Sequence, residues 1–198
     1  MFRLNKIPRL VISHLKSNLA NRSPISGSWL NSYLSRLNNQ NNLLNYASLY
    51  RFSTSQSTYD KAVALFNEEK HEEALELFEK ALLQNMRAHG EGHEKNSDIL
   101  LYMGIIHNNL GNINEALEAV GRALDINMEL YQEYNPDRPR LYSALGSIYE
   151  KQESFERALE CYKYAETILL RLYGEEHPDL AIVKENIGRI LLAKKKAH

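Results

Sequence analysis

Two histidine-containing stretches have residue types that could bind a metal ion or transfer protons. Residues 174–180 read GEEHPDL, in which His177 follows two glutamates and precedes a proline and an aspartate. Residues 89–93 read HGEGH, with the histidine spacing of a zinc-protease helix. Such a helix needs both histidines on one face, with a glutamate directly after the first. Here the glutamate is displaced, and Gly90 and Gly92 disfavour a helix, so HGEGH does not predict a zinc site.

The other residues that could do chemistry form no catalytic pattern. Cys161 is the only cysteine, which excludes an internal disulfide and a cysteine-based zinc site. A single cysteine in a helical stretch is commonly a small buried apolar residue. The sequence has no glycine-rich phosphate loop and no serine–histidine–aspartate order. We therefore expect no enzymatic activity, no cofactor and no metal centre.

The charged residues divide the chain into two parts. Residues 1–59 contain seven lysines and arginines and no acid, and the first acid is Asp60. From Asp60 onward, 17 basic residues accompany 25 acidic ones, so this part has a net charge of −8. Such a break commonly separates a targeting or tail segment from a folded domain. No apolar run reaches the length of about 18 residues that a membrane-spanning helix requires.

The basic segment resembles a mitochondrial transit peptide. Apolar residues recur every four positions from Ile7 to Leu19, and a cationic amphipathic helix is attracted to anionic membrane surfaces. The stretch RFSTS resembles a presequence cleavage neighbourhood, with Arg51 two residues before a cut after Phe52. We predict that residues 1–55 are a flexible targeting presequence and that the protein resides in the mitochondrial matrix. The alternatives are a basic tail without a targeting signal and a plastid transit peptide.

A period of 42 residues runs through the acidic part. The strings KHEEALELFEKAL, NINEALEAVGRAL and SFERALECYKYAE begin at residues 70, 112 and 154, and each has two alanines seven positions apart. The same period relates Gly104, Gly146 and Gly188, which lie within helical patterns. A glycine inside a helix costs about 1 kcal/mol relative to alanine. We therefore predict that close helix packing requires these glycines.

These features resemble the tetratricopeptide repeat family, in which two antiparallel helices form each unit. The family's usual unit has about 34 residues, and the longer period is similar to the repeats of kinesin light chain. The small-residue positions that carry the resemblance are Ala62, Gly104, Gly146 and Gly188 in the first helices, with Ala74, Ala116, Ala158, Ala81, Ala123 and Ala165 in the second. The large residues between them are Phe78, Val120 and Tyr162.

The resemblance implies an all-α fold, a right-handed α-solenoid of helix-turn-helix repeats. Residues 56–198 would form three repeat units and a C-terminal capping helix, preceded by a flexible N-terminal segment. The expected units are 57–95, 96–137 and 138–179, with a half repeat at 180–198. The expected helices are 57–69, 72–89, 96–110, 113–131, 138–151, 155–172 and 178–195.

The same period gives the two histidine stretches another interpretation. HGEGHEKNSD, YQEYNPDRPR and YGEEHPDLAI occupy one repeat position, the loop between units. The glycine would end one helix in the left-handed conformation, and the proline would begin the next. We therefore predict that His177 packs or forms hydrogen bonds in this loop and has no catalytic role.

In this family the first helices line a concave surface, which implies a binding site for a polypeptide. The residues at those positions are Tyr59, Val63, Phe66, Leu101, Ile105, Asn108, Ser143, Ser147, Glu150, Glu185 and Arg189. The surface would be apolar at its N-terminal end and polar at its C-terminal end, which suits an amphipathic helix or an extended peptide. Alternatively, residues 29–50 or a permanent partner cover it.

The resulting functional prediction is a mitochondrial scaffold or adaptor that binds another polypeptide, as an assembly factor or as a subunit of a larger complex. The alternative is a cytosolic adaptor of the kinesin-light-chain type that binds cargo or cytoskeletal partners. We expect no nucleic-acid binding, because the run Lys194–Lys196 suits a helix C-terminus, where cations meet the negative end of the dipole. The partner's identity and the oligomeric state are not predicted.

The targeting prediction can be tested by fusing residues 1–55 to a fluorescent protein. We expect the fusion to enter mitochondria, because the segment combines positive charge with an apolar helical stripe. A matched control replaces Arg3, Arg9 and Arg22 by glutamate, which should abolish import. Diffuse cytosolic fluorescence of the unsubstituted fusion would contradict the prediction.

Overall fold

The fold is a row of helices joined by short turns. The computed structural model describes the backbone of residues 47–131 and 135–196 and, within these ranges, the side chains from residue 57 onward. Its seven helices are α1 Ala47–Asn67, α2 His71–His89, α3 Glu94–Leu110, α4 Ile113–Leu130, α5 Arg138–Lys151, α6 Phe155–Tyr173 and α7 Pro178–Lys196. The described residues contain no strand.

Each helical hairpin turns at one residue with left-handed backbone. These residues are Glu69, Gly111 and Glu153, with φ angles of 59°, 83° and 58°, and the 42-residue period relates them. At Gly111 the amide donates to the Asn108 carbonyl, and the next amide donates to the His107 carbonyl, which together satisfy the end of α3. The repeat therefore fixes the turn geometry as well as the packing positions.

The helices pack in sequence order. The first and second helices of a unit contact each other in the pairs α3–α4 and α5–α6. Successive units contact through α2–α3, α4–α5 and α6–α7, and α3 also contacts α5. The chain from Ser55 onward forms one compact unit. The predicted all-α solenoid with three helix-turn-helix units and a final capping helix is confirmed.

The helix boundaries from α2 to α7 agree with the predicted spans to within two residues. Helix α1 differs, because it begins at Ala47, ten residues before the predicted start. No proline or glycine lies between Ala47 and Asn67, so nothing in the sequence interrupts the helix there. The stretch RFSTS is therefore helical. The part of the predicted targeting segment before residue 47 lies outside the described residues.

The core is built where large residues of the second helices meet small residues of the first. Phe78, Val120 and Tyr162 are all fully buried. A Cβ atom at Gly104 would overlap the Val120 side chain, and one at Gly146 would lie 2.8 Å from the Tyr162 ring. Close packing is thus confirmed at these two glycines. At Gly188 the prediction is wrong within the described residues, because no heavy atom lies within 4 Å of such a Cβ.

The three glycines provide a matched test of this packing. Replacing Gly104 or Gly146 by alanine should lower the free energy of unfolding by about 1–3 kcal/mol, because Val120 or Tyr162 must shift. The same substitution at Gly188 should raise it by up to about 1 kcal/mol, because alanine favours the helix and meets open space. Urea unfolding of dilute protein measures all three. Equal effects at the three positions would contradict the packing interpretation.

Candidate functional site

The histidines of the two chemistry-like stretches cap helices. His93, Asn135 and His177 occupy the same repeat position, and each side chain accepts a hydrogen bond from the amide two residues later, at 3.2, 2.9 and 3.3 Å. The His93 and His177 rings also contact the rings of His89 and Tyr173, with centroids 4.5 and 4.4 Å apart. The predicted hydrogen-bonding role of His177 is confirmed. The described residues contain no cluster of three metal-binding side chains.

A buried pair of polar side chains lies behind the first inter-unit loop. Asn85 of α2 donates from its amide nitrogen to the Asn96 carbonyl oxygen of α3 at 2.8 Å. Asn96 then donates to the backbone carbonyls of Gly90 and Glu91, both at 2.8 Å. Both asparagines are almost completely buried. They satisfy two carbonyls of the loop from inside and link α2 to α3.

The next two loops have other residue pairs at the same two positions. In the second loop Arg138 donates from Nε to the Asn127 Oδ1 at 3.0 Å, and its guanidinium also reaches the Tyr131 carbonyl at 3.2 Å. In the third loop the positions hold Leu169 and Leu180, which are buried. These pairs were not predicted. The 42-residue period could have indicated them, because it relates Asn85 to Asn127 and Leu169. It likewise relates Asn96 to Arg138 and Leu180.

Cys161 is a packing residue. Its side chain is buried, and burial raises the pKa of its thiol to about 12. At neutral pH the thiol therefore stays protonated, whereas nucleophilic attack requires the thiolate.

The N-terminal end of the predicted concave surface is an aromatic cluster. Tyr59, Val63 and Phe66 of α1 are half-buried. The Phe66 and Tyr59 rings lie edge-on to the ring of Tyr102, with centroids 5.2 and 6.1 Å apart, and Tyr102 stacks on Phe78 at 5.1 Å. Burial raises the pKa of Tyr59 to about 12. Tyr102, which was not predicted as a site residue, is the centre of this cluster.

The middle of this surface is less accessible than predicted. Leu101 is only 3% exposed and belongs to the core, and Asn108 is also buried, whereas Ile105 is half-buried. The Asn108 amide donates to the Ser147 hydroxyl at 3.2 Å, and Lys151 donates to the Asn108 backbone carbonyl. The Asn108 Oδ1 atom is buried without a hydrogen-bond partner. Hydrogen bonds at Asn108 thus link α3 to Ser147 and Lys151 of α5.

The C-terminal end carries an ion pair between successive first helices. Arg189 of α7 donates to both carboxylate oxygens of Glu150 on α5, at 2.7 and 2.8 Å. Tyr162 donates its hydroxyl to the same carboxylate at 3.3 Å. Hydrogen bonding to Glu150 raises the pKa of the Arg189 guanidinium. Ser143 is half-buried and Glu185 is exposed, so this end is polar, whereas the N-terminal end is aromatic.

The buried pairs behind the loops allow a test of what the polar residues contribute. Asn96→Leu alone should lower the free energy of unfolding by about 1–3 kcal/mol, because it leaves the buried Asn85 amide with only the His93 ring nitrogen at 3.4 Å and removes both hydrogen bonds to the loop carbonyls. Asn85→Leu combined with Asn96→Leu, which copies the third loop, should recover part of that loss. Urea unfolding measures both variants. A double variant no more stable than Asn96→Leu alone would contradict this interpretation.

None of the described helices is long and apolar enough to span a membrane. No curated protein shows a significant match to the sequence. Among solved structures, BtubC (BKLC) from P. vanneervenii has a TM-score of 0.66 and 21% identity. The match covers 71% of this chain but only 56% of BtubC. A putative kinesin light chain from Podosopora anserina, with nearly identical TPR-like repeats, has a TM-score of 0.60 and 16% identity, covering 95% of this chain and 87% of its own.

These structural likenesses concern the fold, because the identities are low. The family assignment rests on the sequence model for the tetratricopeptide repeat, which matches residues 53–129 and 137–198. The two matched regions cover the three helix-turn-helix units and α7, apart from the first six residues of α1 and the last residue of α4. The chain therefore belongs to the tetratricopeptide repeat family.

Proposed function

We propose that this chain is a mitochondrial scaffold that binds a segment of another polypeptide on its inner face. The inner face is defined by the exposed and half-buried residues that α1, α3, α5 and α7 contribute at the predicted concave positions. Tetratricopeptide repeats bind other proteins or peptides, and solenoids of this kind offer an extended surface for doing so. In this role the chain would act as an assembly factor or as a subunit of a larger complex.

One observation carries the binding proposal: the inner face changes from aromatic to charged along its length. Tyr59 and Phe66 lie at one end, and the Glu150–Arg189 pair lies at the other. A peptide with large apolar residues in one half and charged residues in the other would match this gradient.

The mitochondrial part of the proposal rests on the N-terminal sequence. Fifty-nine residues without an acid, an apolar stripe and the stretch RFSTS support import. The cytosolic alternative rests on the likeness to kinesin-light-chain repeats. At 16–21% identity that likeness supports a shared fold and not a shared function. The fluorescent-protein fusion described above separates these two locations, and it leaves the binding proposal unaffected.

Binding at the aromatic end can be tested with acidic substitutions. Proximity labelling with the wild-type chain first identifies bound proteins. Phe66→Asp combined with Ile105→Asp should then reduce their capture at least tenfold, because two carboxylates replace apolar contact surface. The matched control is Leu130→Asp, an exposed apolar residue at the end of α4. Circular dichroism checks that helicity is retained, and undiminished capture by a folded double variant would reject the inner face as the binding site.

The charged end can be tested by exchanging the ion pair. Arg189→Glu places two carboxylates together and should weaken both stability and partner binding. Adding Glu150→Arg restores an ion pair in the opposite direction, so stability should recover. If the partner contacts these charges, its affinity will remain low in the exchanged protein. Recovery of both quantities would show that the pair is purely structural.

A further inference from the structure

Helix α7 leaves open the face on which the earlier units pack their second helices. Gly104 and Gly146 lie against Val120 and Tyr162, whereas their equivalent Gly188 has open space around it within the described residues. Three large apolar side chains of α7 are exposed, and two of them, Leu191 and Leu192, follow Gly188 within about one helical turn. Their exposed fractions are 58% for Ile182, 49% for Leu191 and 64% for Leu192. A grouped set of exposed apolar residues is typical of an interaction surface.

The open face of α7 has a pattern that can pair with a second copy of itself. Glu185, Gly188, Leu192 and Lys195 are spaced by three, four and three residues, so they lie on one side of the helix, and all four are exposed. When two identical helices run antiparallel with Leu192 of one over Gly188 of the other, the pair is centred on residue 190. That register places Glu185 of each helix opposite Lys195 of the other.

We propose that α7 is a self-association surface through which two copies of this chain form a two-fold symmetric dimer. A two-fold interface uses the same patch on both copies, and this patch is complementary to itself. Leu192 of each copy would fill the notch at Gly188, as Val120 fills the notch at Gly104 within a unit. Two Glu185–Lys195 ion pairs would flank the two leucines and fix the register.

Charge at the ends of α7 favours a second antiparallel copy. The N-terminal end carries Glu175, Glu176 and Asp179, and the C-terminal end carries the run Lys194–Lys196. Lys194 already pairs with Glu156 at 2.8 Å, but Lys195 and Lys196 are exposed. An antiparallel arrangement brings the basic end of one helix toward the acidic end of the other, whereas a parallel arrangement would oppose like charges.

The expected dimer is weak and depends on concentration. One helical face from each copy is a small interface, and interfaces below about 1,200 Å² are commonly transient. We therefore expect a dissociation constant in the micromolar range or above. The proposal uses only α7, which shares Glu185 with the charged end of the inner face, and it does not depend on where the chain is located or on what binds the aromatic end.

Sedimentation velocity of the whole chain tests the dimer. Over about 1–500 μM at low salt, the weight-average mass should rise from the 22.9 kDa of one chain toward twice that value. Leu192→Glu should abolish the rise, and because Leu192 is exposed this substitution should leave helicity unchanged. Lys163→Glu on the exposed side of α6 serves as the control and should dimerise like the wild type.

Charge exchange tests the antiparallel register. Glu185→Lys alone and Lys195→Glu alone should each weaken dimerisation at least tenfold, because like charges then face each other twice. A mixture of these two single variants should associate again, and so should the variant that carries both changes. A wild-type chain that stays monomeric throughout, or a dimer that ignores these substitutions, would overturn the proposal. Capture of an unrelated amphipathic helix by a monomeric wild-type chain would overturn it as well.

Discussion

The structure depends on one packing contact, in which a large side chain of a second helix lies against a small residue of a first helix. Val120 on Gly104 and Tyr162 on Gly146 bring paired helices closer than any side chain at the glycine would allow. Tyr162 extends this contact to the surface, because its hydroxyl donates to Glu150, the carboxylate that binds Arg189. A core residue of the third unit therefore helps to position the charged end of the inner face.

The loops between units share a capping hydrogen bond, although the side chains behind the loops differ. Each loop keeps a side-chain acceptor for the start of the next helix, whether that acceptor is a histidine or an asparagine. Behind it the buried pair changes from two amides to an amide with a guanidinium and then to two leucines. Removing one member of a polar pair leaves a buried group unsatisfied, whereas exchanging both members can be nearly neutral. This asymmetry explains how the three pairs can differ so much at equivalent positions.

The sequence was sufficient for the repeat, for six helices and for the role of His177, because each depends on residue types at fixed spacing. It was insufficient where burial depends on neighbouring units. Leu101 occupies the same repeat position as Ser143, yet Leu101 is buried and Ser143 is half-buried. The aromatic residues of α1 pack on α3, and the repeat pattern within α3 does not predict how large the side chains of α1 are. The bidentate Glu150–Arg189 contact likewise depends on side-chain geometry that spacing does not encode.

The last unit has a packing position that the repeat supplies but that no described residue fills. The period that brings Gly104 and Gly146 against bulky side chains also supplies Gly188, although no described residue fills that notch. A terminal helix of a solenoid usually needs a polar outer face to stay in solution. Helix α7 has lysines at its end but keeps Leu191 and Leu192 exposed beside the glycine. The open space at Gly188 and the exposed leucines beside it could pack against a helix as the interior glycines do. None of the seven described helices covers them, so a further helix would be needed to bury this surface.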